Sequence, residues 1–77
     1  MKLSPHDVNF AALINSLPPI VARKEIDRYL GGMISKGYLA NLDSEGQGPK
    51  RIRIGRHVGY LREDLIAWLQ ARSSHIE

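Results

Sequence analysis

Apolar side chains recur at helical spacing near the start of the chain. They lie three or four positions apart, at Phe10, Leu13, Ile14 and Leu17, and so share one face of a helix. Ser4 and Pro5 favour the start of this helix, because serine caps a first turn and proline suits the first helical position. Pro18 and Pro19 end it. We predict a helix over residues 5–16 that packs its apolar face on a nearby helix of the same domain, with packing on a partner as the alternative.

Two further helices are joined by a short turn that contains two glycines. Residues 23–30 place their apolar side chains on one face, and Gly31 and Gly32 then stop that helix. Ser35 is a good cap for the next helix, which we predict over residues 35–44. Two helices separated by such a turn are typical of a helix-turn-helix.

Arginine and isoleucine alternate after a glycine- and proline-rich loop. This alternation, over residues 50–61, predicts two antiparallel strands. A two-residue turn would set Ile54 opposite His57 and would mix polar and apolar side chains on both faces. A three-residue turn at residues 55–57 separates the faces, because it pairs Ile54 with Val58. We therefore predict the three-residue turn, which exposes two arginines on the strand and places two basic side chains at the tip: Arg51, Arg53, Arg56 and His57.

The helical spacing returns near the end of the chain, at Leu65, Trp68 and Leu69. It predicts a last helix over residues 62–72, followed by a frayed tail at residues 73–77. Trp68 is therefore expected in the core. Altogether the pattern predicts one mainly α-helical domain with a small β-hairpin.

The charge of the chain is concentrated in the predicted hairpin. The net charge is +3, and residues 50–56 hold four basic side chains and no acid. Such a basic stripe favours a polyanionic partner, with a solvated run of charges as the alternative.

The composition excludes several kinds of chemistry. There is no cysteine, and the three histidines have no metal-binding spacing. The sequence Gly32-Met33-Ile34-Ser35-Lys36-Gly37 lacks the lysine and hydroxyl residue that follow in a phosphate loop. We therefore expect no enzyme activity, no metal and no cofactor. No apolar run approaches membrane-spanning length and the N-terminus lacks a signal-peptide pattern, so we expect a cytoplasmic protein without membrane contact.

The predicted elements are, in chain order, a helix, a tight turn, a second helix, a basic hairpin and a final helix. The chain resembles the MerR-like winged helix-turn-helix group, and within it the excisionase and AlpA-like regulators of phages and integrated mobile elements. The resemblance covers residues 19–71 and rests on Arg23-Lys24-Glu25-Ile26, Leu30-Gly31-Gly32, the loop Gly46-Gln47-Gly48-Pro49, the hairpin sequence Ile54-Gly55-Arg56 with Tyr60, and Asp64-Leu65-Ile66-Ala67-Trp68-Leu69. It implies a winged helix-turn-helix at residues 19–72 after an N-terminal helical extension at residues 1–18.

This resemblance implies a non-catalytic protein that binds double-stranded DNA. The helix at residues 35–44 would enter the major groove, where Lys36 and Asn41 would reach base edges. Basic residues of the preceding helix and the hairpin would hold phosphates or enter the minor groove. The expected DNA contacts are Arg23, Lys24, Ser35, Lys36, Tyr38, Asn41, Arg51, Arg53, Arg56 and His57.

The chain departs from the pattern of this family at three places. Ala22 stands where threonine is often the helix cap, Asp27 stands at a usually small, apolar position, and Lys36-Gly37-Tyr38 stands where serine and threonine are common. The last departure leaves the base preference open.

Three functions fit these features of the sequence. The first is an excisionase that binds and bends DNA beside the sites of a tyrosine recombinase, with self-association on adjacent sites as a further expectation. The second is an AlpA-like transcriptional regulator on the same fold. The third is a protein-interaction module for which DNA is secondary.

Overall fold

A computed structural model describes residues 11–73 of the 77-residue chain. Within them four α-helices and three strands follow one another, with a short 3₁₀ helix at Arg23–Glu25. The bounds are α1 Ala11–Ser16, β1 Ile20–Ala22, α2 Ile26–Tyr29, α3 Lys36–Ser44, β2 Ile52–Ile54, β3 His57–Leu61 and α4 Arg62–Arg72. The predicted start of the first helix, at Ser4 and Pro5, and its apolar Phe10 lie outside the described residues. Over residues 11–73 no helix is long and apolar enough to cross a membrane.

The turn between α2 and α3 forms as its local sequence predicts. Gly31 and Gly32 have φ angles of 61° and 82°, a backbone conformation that glycine adopts without a steric penalty. The Gly32 N–H donates to the Asp27 carbonyl at 3.0 Å, which closes the end of α2. Ser35 caps α3, because its hydroxyl oxygen accepts a hydrogen bond from the Tyr38 N–H at 3.1 Å.

The strands form one antiparallel sheet in the order β1-β3-β2. The sequence pattern predicts no element between Pro19 and the helix at residues 23–30, so it does not identify this strand. Val21 of β1 is fully buried and pairs with Tyr60 of β3. The strand state of these three residues therefore depends on pairing with a distant part of the chain.

The hairpin has two turn residues, so the predicted three-residue turn is wrong. The strand pairs are Ile54 with His57, Arg53 with Val58, and Ile52 with Gly59. The physical reason is Gly55, whose φ of 62° suits the first central position of a two-residue hairpin turn. The predicted separation into an exposed polar face and a buried apolar face also fails at the tip of the hairpin, where the apolar Ile54 is 64% exposed.

This register makes the hairpin project beyond the rest of the sheet. β1 pairs with β3 only from Gly59 to Leu61, whereas β2 pairs with β3 from His57 to Gly59. Arg53 shares a sheet face with Val58 and yet is exposed, because it lies on the projecting part. The prediction that Arg53 is exposed is thus confirmed, although its strand partner differs.

The core lies between the sheet and the helices. Its fully buried side chains come from both strands and helices, namely Val21, Ile26, Leu39, Tyr60 and Leu65. Leu39 is the inward position of α3, whereas the neighbouring Tyr38 is 46% exposed.

The first helix packs on its own domain, as predicted. α1 contacts α4, and Leu13 and Ile14 are partly buried against the core next to the buried Leu17. Trp68 of α4 also packs against the core, although only in part. Its Nε1–H donates to the Gln47 carbonyl at 3.0 Å, so this tryptophan also holds the loop that follows α3.

Candidate nucleic-acid interface

A groove of about 310 Å³ separates the first turn of α3 from the tip of the hairpin. Its third wall is the chain segment that leaves β1. Five of the predicted DNA contacts line it, namely Arg23, Lys24, Lys36, Arg56 and His57. Basic side chains from three separate segments therefore meet at one concave surface, which we call the basic groove.

The sheet explains why this groove exists. β1 ends at Ala22, opposite Gly59, and within residues 11–73 no other strand pairs with that edge of β3 beyond this point. The chain turns away at Arg23 into the 3₁₀ helix, while His57 and Val58 continue toward the hairpin tip. The groove is the space between this edge of β3 and α3.

The start of α3 is held by two side chains. Ser35 accepts from the Tyr38 N–H, and the Asp27 carboxylate of α2 accepts from the Lys36 N–H at 2.8 Å. Both bonds satisfy backbone groups that a helix N-terminus leaves without partners. Asp27 thus fixes α2 against α3.

The predicted contacts on α3 point in different directions. Successive helical residues are about 100° apart, so Lys36 and Tyr38 lie on opposite sides of α3, with the exposed Asn41 between them. Tyr38 lines a separate groove together with Trp68 and Arg72, and the Arg72 Nη2 lies 3.4 Å from its hydroxyl. The structure therefore does not bring Tyr38 to the basic groove.

Two of the predicted arginine contacts bind Asp43, Arg23 through the carboxylate and Arg51 through the main-chain carbonyl. Asp43 of α3 is 4% exposed, and its Oδ2 accepts from the Arg23 Nη1 at 2.8 Å and from the Tyr60 hydroxyl at 2.7 Å. The Arg51 Nη1 donates to the Asp43 carbonyl at 3.1 Å and lies 3.9 Å from Oδ1. Arg23 thus balances an internal charge, whereas the side chain of Arg51 is half-exposed.

This network changes the titration of two of its members. Burial raises the pKa of the Tyr60 hydroxyl above its ordinary value of 10.0, and the hydrogen bond to Asp43 raises it further. Burial acts to lower the pKa of the Arg23 guanidinium, but its interactions with Asp43 and Tyr60 outweigh burial and raise that pKa. Tyr60 is therefore neutral and Arg23 charged throughout the physiological range.

Comparison of the chain with protein-family models, curated proteins and solved structures finds no match. Among residues 11–73, no group of three or more acidic, histidine or cysteine side chains is placed to hold a metal ion.

Three further residues shape this site and are not among those that the sequence pattern predicts for it: Asp27, Asp43 and Tyr60. A signal for Asp43 is present, because it lies four positions after Leu39 and so shares the buried face of α3. An acid at such a position needs a cationic or hydrogen-bonding partner. Its partner Arg23 is 20 positions away, and a sequence pattern does not identify partners at that distance.

Proposed function

We propose that this chain is a sequence-specific DNA-binding protein with a winged helix-turn-helix architecture. In this proposal α2 and α3 form the helix-turn-helix and the β2–β3 hairpin is the wing. The observation that carries the proposal is the basic groove, where Arg23, Lys24, Lys36, Arg56 and His57 converge. Clustered cations on one face are the electrostatic footprint of a nucleic-acid partner.

The outer surface of α3 favours a helix that lies against DNA. A side chain at Gly37 would meet only the Ser35 hydroxyl oxygen, at 4.0 Å, so packing within the described residues does not require glycine there. Glycine leaves the helix surface flat and permits close approach of another backbone. On either side of it Lys36 and Asn41 carry donors suited to base edges, lysine for guanine and asparagine for adenine.

The wing would supply contacts to phosphates. Arg53 and Arg56 are exposed on the projecting part of the hairpin, within reach of the backbone that flanks a bound major groove. Lys24 would contact phosphate from the opposite wall of the basic groove.

We further propose an excisionase-type role for the protein. It would be non-catalytic and cytoplasmic, and would bind and bend DNA beside the sites of a tyrosine recombinase. The resemblance over residues 19–71 supports this role. Footprinting on the DNA that flanks its own gene tests it: protection beside recombinase sites supports excision, whereas protection confined to a promoter contradicts it and indicates a transcriptional regulator.

Fluorescence anisotropy with a labelled duplex of random sequence tests DNA binding itself. With phosphate contacts from Lys24, Arg53 and Arg56, log K should fall with log salt with a slope of about −2.7. The double variant Lys24→Gln/Arg53→Gln should reduce that slope to about −0.9.

Lys50→Gln is the matched control, since Lys50 is exposed and lies outside the basic groove. This control variant should retain nearly the salt slope of the wild type. Absence of binding by the wild type at low salt would contradict the proposal and would favour a protein-interaction module.

A further inference from the structure

Asp43 lies where the three segments around the basic groove meet. It belongs to α3, and its carboxylate binds Arg23 from the segment after β1 and Tyr60 from β3. Its carbonyl binds Arg51 at the base of the hairpin. One residue therefore connects every wall of the groove.

The carboxylate is packed on its remaining side as well. A β-carbon at position 48 would collide with the Asp43 Oδ1, so Gly48 lets the loop after α3 close over the acid. Oδ1 is buried and has no hydrogen-bond partner among the described residues. The negative charge is thus enclosed, and Arg23 is the cation that contacts it most closely.

This environment opposes transfer of Arg23 to a DNA phosphate. A buried charge that loses its partner is strongly destabilising, whereas a phosphate contact at the surface is screened by salt. The Arg23 side chain is only 27% exposed, and its bond to Asp43 would have to break. Lys24, the next residue, is exposed and lines the same groove.

We propose that Asp43 is a positioning residue of the DNA site, which retains Arg23 as an internal cation and fixes α3 relative to the hairpin. The phosphate contacts then fall to Lys24, Arg53 and Arg56. This inference rests on the proposed function, and it removes one of the ten predicted contacts from the surface that meets DNA.

Arg23→Gln and Lys24→Gln form a matched pair, because each removes one positive charge from the same groove. Lys24→Gln should lower the magnitude of the salt slope by about 0.9 and leave the Tm unchanged. Arg23→Gln should leave the slope unchanged and lower the Tm by at least about 5 °C, since Asp43 loses its cation.

A second variant covers the case in which Arg23→Gln does not fold. In Arg23→Gln/Asp43→Asn the buried charge is removed together with its partner, so the Tm should recover toward that of the wild type while the slope stays unchanged. Asp43→Asn alone releases Arg23 and should raise the magnitude of the slope by up to about 0.9.

The outcomes separate this inference from the proposed function. A wild type that does not bind DNA overturns the proposed function. If the wild type binds and the double variant loses as much slope as Lys24→Gln, Arg23 contacts phosphate and the positioning role of Asp43 is wrong.

Discussion

The Asp27 carboxylate accepts a hydrogen bond from the backbone N–H of Lys36, at 2.8 Å. A side chain of α2 therefore caps the helix that carries the proposed base contacts. The bond spans the glycine turn and limits how far α3 can rotate relative to α2. The orientation of α3 consequently depends on a side chain outside it.

Replacement of Asp27 by alanine should destabilise the domain by about 1 kcal/mol, the usual cost of a lost helix cap. For a domain of this size that lowers the Tm by roughly 4–8 °C, measurable by circular dichroism. Asp27→Asn keeps an acceptor oxygen and should recover most of the loss.

Glu25→Ala is the control for this change. It removes a nearby acid whose contact is a surface ion pair with Arg28, at 3.2 Å, and such pairs contribute little. An equal loss of Tm in both variants would show that the hydrogen bond to Lys36 does not hold α3.

Arg53→Ala and Arg56→Ala should each weaken binding about equally on all DNA sequences. Each should also lower the magnitude of the log–log salt slope by roughly 0.9, as expected for a lost phosphate contact. Arg28→Ala makes the same change on α2, outside the basic groove, and should keep the wild-type slope. Unchanged slopes in both hairpin variants would show that the hairpin is not a wing.

Lys36→Ala and Asn41→Ala should reduce discrimination between cognate and random DNA. A base contact is worth about 1–3 kcal/mol of discrimination, so the ratio of the two Kd values should fall by roughly tenfold or more in each variant. Competition titrations with both DNAs measure this ratio, and Lys50→Ala should leave it unchanged. Equal losses on both DNAs would identify Lys36 and Asn41 as phosphate contacts.

The raised pKa of Tyr60 predicts a loss of stability at alkaline pH. Its pKa is raised in the folded state by burial and by Asp43, so above about pH 10 the unfolded chain releases this proton while the folded chain keeps it. The free energy of unfolding should then fall by up to about 1.4 kcal/mol per pH unit from this group.

Tyr60→Phe isolates this contribution, because phenylalanine has no proton to release. Urea unfolding between pH 7 and pH 11 should give a stability difference between wild type and variant that is largest near neutral pH. It should shrink above about pH 10. A constant difference would show that Tyr60 ionises equally in both states.

Local signals in the sequence predict the elements around the site. The cap of α3 and the turn before it depend only on neighbouring residues, namely Ser35 and the pair Gly31 and Gly32. Both features therefore follow from the sequence alone. The position of the hairpin is predicted correctly for the same reason. Its predicted register is wrong, because the turn preference of Gly55 outweighs the separation of polar and apolar faces.

The remaining features depend on contacts between distant residues. β1 has only three residues and becomes a strand by pairing with β3, too short a segment for a periodic pattern. Arg23 and Arg51 look like free cations in the sequence, and only the fold brings Asp43 to them. The sequence shows where the basic side chains lie, but it does not show which of them are already paired with an acid of the same domain.

The close fit of Gly48 against Asp43 has an evolutionary consequence. A lineage that gains a side chain at position 48 has to replace the buried acid, and the loss of that acid leaves Arg23 and Tyr60 without their shared acceptor. Substitutions at these four positions should therefore be inherited as a set. Among distant homologues, the joint presence of arginine, aspartate, glycine and tyrosine at these positions would mark proteins that share this arrangement of helix and hairpin, even where the proposed DNA contacts have diverged.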